Sequence, residues 1–403
     1  MDITRRERWS VIYHCYLAYF ISGIVVLTFG VILPYLIEER GISLTVAGGL
    51  LSFLAIGNLL ASLVYPLLCT KLSQRMSTVL LSVFYPVCLF LFILDVPVAV
   101  LYLLIFLMGI TKGMLSIVNN YAVKQVTGNS GKYLNLLHMW YAVGALLAPF
   151  LVSLLTAVGM DWKLVLQLLS AVTILVVISF LTMDFSLVEK QERENEYREK
   201  AGRTQKMGQE KSRFWFLGSF SFLLASGILF CYMGLENAVN GWFVTYLKST
   251  GMMSTELSAM MVSVAWVMIM LGRILIASIS QKVRPDVILT VITIVQFLSI
   301  AMLLKASSPM GVVIALIVMG LGMAGSYPTA TAFVGDFMGN SPLGMSVFTG
   351  IGSFGGIITP QIIGVLAEHV GFHAAIVFLL LDSILLVVCG VLTIPATKRR
   401  NIK

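Results

Sequence analysis

Two stretches decide the fold: MGITKGMLSIVNNYAVKQVTGNS, residues 108–130, and MGLGMAGSYPTATAFVGDFMGNS, residues 319–341. They open and close on the same residues at an offset of 211, with Met108-Gly109 matching Met319-Gly320 and Gly128-Asn129-Ser130 matching Gly339-Asn340-Ser341. With no gap the offset also pairs Gly144 with Gly355, Pro149 with Pro360, Gly23 with Gly234, Gly30 with Gly241, Tyr35-Leu36 with Tyr246-Leu247 and Lys71 with Lys282. The chain is therefore built as two equal halves. Parallel halves related by an axis along a membrane normal place a binding site between them, near mid-membrane.

Working outward, 58% of the 403 residues are hydrophobic and only 11% are charged, which excludes an ordinary soluble domain. Twelve apolar runs, each long enough to cross about 30 Å of hydrocarbon, lie near 10–37, 43–70, 77–95, 98–124, 133–157, 164–184, 214–247, 254–280, 285–305, 310–338, 343–369 and 372–395. Each spanning segment must satisfy its own backbone polar groups, so all twelve are expected to be helices. No alternation of period two, as a barrel requires, is present. The predicted fold is an all-α membrane protein of twelve transmembrane helices in two pseudo-symmetric six-helix bundles, 1–185 and 214–403, joined by a polar segment, 186–213. That segment mixes Glu with Lys and Arg (EKQERENEYREK) and has no apolar face, as a solvated linker or surface helix would.

The net charge of +8 reports topology rather than nucleic-acid binding. With both termini cytoplasmic, only Arg40, Lys163, Lys248 and Lys305 fall on the far side, and Lys112 and Arg273 fall within spans. That asymmetry is the positive-inside pattern. The first span follows Arg5, Arg6 and Arg8, exceeds a signal-peptide core in length and is read as retained. Cys15, Cys69, Cys88, Cys231 and Cys389 all lie in spans without disulfide or metal spacing and are expected to be packing residues.

The twelve-span, two-half layout resembles the major facilitator superfamily. The superfamily's loop motif after the second span is partly present as CTKLSQRMS, with Lys71 and Arg75. Its counterpart LGRILIASISQKVRP keeps Gly272, Arg273, Lys282 and Arg284. NNYAVKQVTGNSGKYLNLLHMWYAVGALLAP (119–149), YMGLENAVNGWFVTYL (232–247) and GLGMAGSYPT (320–329) resemble the fucose–galactose–glucose sugar symporters and their sodium-glucose-transporter-like relatives. The resemblance implies a secondary active carrier of a sugar or similar polyol, working by alternating access as an ion-coupled symporter. It also implies that spans 1, 4, 7 and 10 line the cavity. Where fucose symporters carry two membrane carboxylates, this chain has Gly30 and Leu115, which removes those groups as proton carriers.

Charges at bilayer depth are costly and mark function by default. Glu236 and Lys112 both sit roughly 16–22 Å below the far surface at 1.5 Å per residue. They are expected to pair or to bind substrate alternately, with Glu236 taking the coupling proton or sodium ion. Arg273 and Asp336, near the cytoplasmic ends of spans 8 and 10, are expected to form a gating salt bridge. Asp382, in a peripheral span, is expected to pair with a polar group in its own bundle. A sugar needs hydrogen-bonding groups and a flat apolar face. Asn119, Asn120, Asn135, His138, Asn237 and Asn240 offer the first, and Trp242, Trp140, Tyr327 and Trp266 the second. His369 and His373 read as surface residues rather than a metal site.

No catalytic constellation occurs: there is no His-Glu-x-x-His, Gly-x-Ser-x-Gly or Gly-x-x-x-x-Gly-Lys-Ser/Thr. An enzyme is not expected, nor a cofactor, nor any metal beyond a driving ion gradient. The expected partners are a small-molecule substrate and the lipid bilayer. The chain is expected to act as a monomer in a bacterial cell membrane. The alternative is a proton-coupled exporter of drugs or other lipophilic molecules, which 21 methionines and Glu236 would suit.

Overall fold

The computed structural model describes residues 4–128, 130–202, 215–280, 282–338 and 342–402. Among them lie twelve helices long and apolar enough to cross a membrane. The elements in chain order are α1 (Arg5–Arg40), α2 (Leu44–Cys69), α3 (Gln74–Ser82), α4 (Phe84–Phe92), α5 (Val98–Thr127), α6 (Gly131–Ala157), α7 (Trp162–Thr182) and α8 (Phe185–Gly202). The second half continues with α9 (Phe220–Ser249), α10 (Thr255–Ile279), α11 (Pro285–Lys305), α12 (Pro309–Met323), α13 (Ser326–Met338), α14 (Pro342–His369) and α15 (Phe372–Ile402). The protein is an all-α, multi-pass membrane protein, as its sequence predicts.

Two spans are divided. The third is α3 and α4, separated at Val83, and the tenth is α12 and α13, separated at Ala324-Gly325. A proline follows each break, Pro86 and Pro328. Proline lacks the N–H that residue i−4 needs and its ring crowds that residue's carbonyl. The helices start on side-chain caps: Ser73 accepts from the Met76 N–H, Ser254 from that of Leu257 and Ser308 from that of Gly311. The stretch after residue 184 forms α8, which packs on α5.

The residues gather into two compact units. One comprises Met1–Val26, Ile56–Ala148 and Gly159–Lys211; the other comprises Leu27–Ala55, Pro149–Val158 and Ser212–Lys403. Within the first unit, α4 packs on α5 and α7, and α3 on the same two helices. Within the second, α9 runs through the centre against α10, α13, α14 and α15, while α11 packs on α12 and α15.

The sequence repeat is also a packing repeat. In the first unit α1 and α6 cross so closely that a methyl group added at Gly144 would lie 2.1 Å from the Phe20 carbonyl oxygen. In the second, α9 and α14 cross in the same way, with Gly355 1.9 Å from the Phe230 carbonyl by the same measure. A second pair of crossings repeats too: Gly57 lies against Phe106 and Gly109, and Gly320 against Ala265 and Met268. Small residues let membrane helices approach backbone to backbone where no hydrophobic force drives them together. The four packed cysteines, Cys15, Cys88, Cys231 and Cys389, are buried and unbridged.

Candidate functional site

In the second unit the site grows from one face of α9. Met233, Glu236, Asn237 and Asn240 follow helical spacing and are half-buried, while Tyr232, Leu235, Ala238 and Val239 between them are buried. Tyr232 stands one turn below Glu236 and is 1% exposed. Both the Glu236 carboxylate and the Arg273 guanidinium of α10 act electrostatically on its hydroxyl. A phenol can donate to the first and accept from the second at once. Tyr327, on the first turn of α13, lies close enough to interact electrostatically with Glu236 and is 39% exposed. An acid, a base and two phenols from three spans thus meet at bilayer depth.

The neighbouring amides are held firmly. Asn240 Oδ1 accepts from Trp266 Nε1 at 3.1 Å. Asn237 Nδ2 donates to the Met233 carbonyl at 2.8 Å and packs on Gly356, whose glycine leaves room for it. Trp242 is 1% exposed, donates from Nε1 to the Pro360 carbonyl at 2.9 Å and meets the edge of Phe372. It binds α9 to α14 rather than offering a free ring face. The side chain of Asp336 lies outside the described residues, so the Arg273 contact on view is with Tyr232. Asp382 on α15 reaches the Cys231 thiol of α9, the polar contact within its own bundle that its depth demands. Gly30 approaches the Asn240 carbonyl so closely that an added methyl group would lie 1.8 Å away, so the position that carries a carboxylate in fucose symporters admits no side chain here.

The first unit carries its own polar face. Lys112, Ser116 and Asn120 recur every four residues along α5 and are half-buried. The Tyr19 hydroxyl of α1 meets Ser116 Oγ at 3.2 Å, and His138 Nε2 of α6 meets Asn120 Oδ1 at 3.1 Å. Because the amide oxygen only accepts, that bond assigns the proton to Nε2. Asn120 Nδ2 donates to the Ser116 carbonyl at 2.8 Å, and the Tyr19 ring packs edge-on to His138 and against Tyr141. Asn119 points the other way: it is 0% exposed, and both its amide atoms lack a hydrogen-bond partner among the described residues. Asn135 and Trp140 are exposed. Tyr232, Tyr19 and Ser116 were not singled out from sequence. The one available signal was the four-residue spacing of Tyr232 to Glu236 and of Lys112 to Ser116 to Asn120.

With this geometry in view, the sequence model of the Major Facilitator Superfamily matches residues 15–344. The chain belongs to the Major Facilitator Superfamily. Membership makes it a secondary transporter and not an enzyme. Among curated relatives, "Bypass of stop codon protein 6" of Saccharomyces cerevisiae is 23% identical over 397 residues, covering 89% of this chain and 77% of the yeast protein. Among solved structures, the nucleoside transporter NupG aligns with TM-score 0.70 at 17% identity over 97% of this chain and 99% of its own. A bacterial homologue of the human lysosomal transporter Spinster, in an inward-facing and unoccupied conformation, aligns with TM-score 0.67 at 14% identity over 98% of both chains. At these identities the likeness to the solved structures is one of fold.

Proposed function

We propose that this superfamily member carries a sugar-like small polar solute by alternating access, and that Glu236 is the group whose charge state the coupling ion controls. The observation that carries the reading is the Tyr232–Glu236–Arg273 cluster. A carboxylate at bilayer depth is expensive unless a cation or donor satisfies it, and here both are supplied through one hydroxyl. Neutralising Glu236 removes the negative charge that acts on Tyr232 together with Arg273, which ties loading of the ion to the state of the site. Asn240 with Trp266, and Tyr327 with its half-exposed ring, supply hydrogen bonds and a flat face for a hydroxylated ring. The first unit has on its own polar face the groups Lys112, Asn120 and His138, of the same hydrogen-bonding chemistry. Arg273 is also proposed to act with Asp336 as a gate. Cytoplasmic termini belong to this proposal on the strength of the Lys and Arg distribution. A ribose-bearing nucleoside falls within the same chemistry as a free sugar, and the fold shared with NupG supports including it.

The test is uptake into proteoliposomes of labelled hexoses, polyols and nucleosides, with proton and sodium gradients imposed separately and Glu236→Gln run in parallel. Concentrative uptake of one class under one gradient, lost in Glu236→Gln, is the expected result. Full concentrative uptake by the variant would remove Glu236 as the coupling group. No uptake of any class under either gradient would overturn the polar-solute reading in favour of export of lipophilic compounds.

A further inference from the structure

The break in the tenth span has no counterpart at the equivalent place in the first half. There α5 runs unbroken from Val98 to Thr127. The break lies between Met323 and Ser326, and Gln296 of α11 is set directly against it. The Gln296 amide donates from Nε2 to Ser326 Oγ at 3.0 Å and to the Ile292 carbonyl at 3.2 Å. Both amide protons are then used. Gln296 is 0% exposed, as is Ser326, and Gln296 Oε1 has no hydrogen-bond partner among the described residues. An added methyl group at Gly322 would lie 3.0 Å from Gln296 Cγ, so the glutamine fills the space that Gly322 leaves. At the repeat-equivalent positions, 211 residues earlier, stand Tyr85 and Leu115. The Tyr85 hydroxyl is satisfied by Ser22 at 3.0 Å. The orphaned oxygen is therefore a property of the second half alone.

The chemistry around that oxygen is unbalanced. Pro328 has no N–H, so the Ala324 carbonyl loses the donor a continuous helix would give it. The proline also removes one of the N–H groups that the start of α13 would otherwise present. Two oxygens, the Ala324 carbonyl and Gln296 Oε1, thus lack the donors that a continuous helix and a paired amide would have. Leaving a buried acceptor unmet destabilises the fold unless something else meets it. Among the described residues no group of three or more His, Cys, Asp or Glu can hold a metal ion, which disfavours a transition metal or a divalent ion here. Neutral oxygens at the end of a broken helix are the donor set of a monovalent cation.

We propose that Gln296 Oε1, Ser326 Oγ and the Ala324 carbonyl, which Pro328 leaves without a helical donor, form a Na+ site. It rests on the transport reading above and places a Na+ ion beside Glu236 rather than on it, which leaves the Glu236 carboxylate to take a proton. Three consecutive residues link the two: Ser326 offers its oxygen to the ion, Tyr327 interacts electrostatically with Glu236, and Pro328 keeps the helix open. Ion binding at the break thereby fixes the ring beside the Glu236–Arg273 cluster.

The experiment is equilibrium binding of radiolabelled Na+ to the purified full-length protein, with choline holding ionic strength constant. It needs no transported substrate, so it stands or falls independently of the uptake assay. The wild type is expected to bind saturably, and Gln296→Leu and Ser326→Ala are each expected to weaken binding at least about tenfold, equivalent to about 1.4 kcal/mol. Gln296→Glu, which keeps the oxygen and adds charge, is expected to bind at least as well as the wild type. Ser326→Ala serves as the reference variant if Gln296→Leu elutes aggregated on gel filtration. Absence of saturable binding by the wild type would overturn the proposal. So would undiminished binding by Ser326→Ala, or binding lost in Glu236→Gln and retained in Gln296→Leu, which would move the ion to Glu236.

Discussion

Tyr232 is coupled to both Glu236 and Arg273, because each acts electrostatically on its hydroxyl and the ring is wholly buried. Removing that hydroxyl leaves a carboxylate and a guanidinium at bilayer depth without their shared partner. Hydrogen bonds to charged groups contribute about 1.5–3 kcal/mol, so Tyr232→Phe is expected to lower the initial rate of gradient-driven uptake by about 10- to 100-fold. Surface expression should stay unchanged, because the aromatic ring and its packing remain. Wild-type uptake by Tyr232→Phe would show that the bridge plays no part in the cycle. Glu236 was visible in the sequence because an ionised side chain inside an apolar run is costly and therefore rare. Tyr232 was not, because tyrosine is at home in such runs and its importance comes from Arg273 approaching from another helix. Arg273 itself was visible, but a list of charges says nothing about which of several partners a long guanidinium side chain will reach.

At the scale of elements, the spans were legible because hydrocarbon admits only self-satisfied helices, so apolar length alone locates them. Their breaks were harder to read. Pro34, Pro66, Pro149 and Pro360 lie inside continuous helices, whereas Pro86 and Pro328 follow interruptions. Neighbouring helices decide which outcome holds by supplying, or failing to supply, replacement partners. The repeated glycines were legible as a pattern and became informative once the helices crossed at them. Gly355→Ala forces a methyl group against a main-chain oxygen that cannot rotate away, and overpacking of this kind costs about 1–3 kcal/mol. Gly350 of the same helix has open space around its Cα, so Gly350→Ala is expected to stabilise by up to about 1 kcal/mol through helix propensity. Thermal unfolding in detergent should therefore show Gly355→Ala melting below the wild type and Gly350→Ala at or above it. Equal melting points for the two would mean that close approach of α9 and α14 contributes nothing to stability.

At the scale of the whole molecule, the second compact unit takes in the far ends of α1, α2 and α6 together with α9 to α15. Its polar ties at that end, among the described residues, include Ser52 donating to the Ile357 carbonyl at 2.5 Å and Gln361 Nε2 donating to the Thr45 carbonyl at 3.3 Å. Glu38 pairs with Lys248, Tyr35 donates to Glu256 Oε1 at 3.1 Å, Ser153 donates to the Glu256 carbonyl at 2.9 Å, and Glu368 accepts from the Thr45 N–H at 2.7 Å. The Glu38 side chain is 59% exposed, and exposed pairs of this kind contribute about 0–1 kcal/mol. Backbone contact adds to these ties, with Gly48 against Pro360 and Gly364, and Gly30 against Asn240. Such a closure is specific in geometry yet weak enough in charge to reopen, as a carrier that exposes its site alternately to two faces requires. Tying it shut should arrest transport. Cysteines placed at Glu38 and Lys248 and joined by a short bifunctional thiol reagent are expected to abolish uptake. A monofunctional reagent on the same double variant should leave most of the uptake intact, because the exposed pair itself contributes little. Persistent uptake in fully cross-linked protein would show that this end stays closed throughout the cycle, and the opening movement would then have to be sought elsewhere in the molecule.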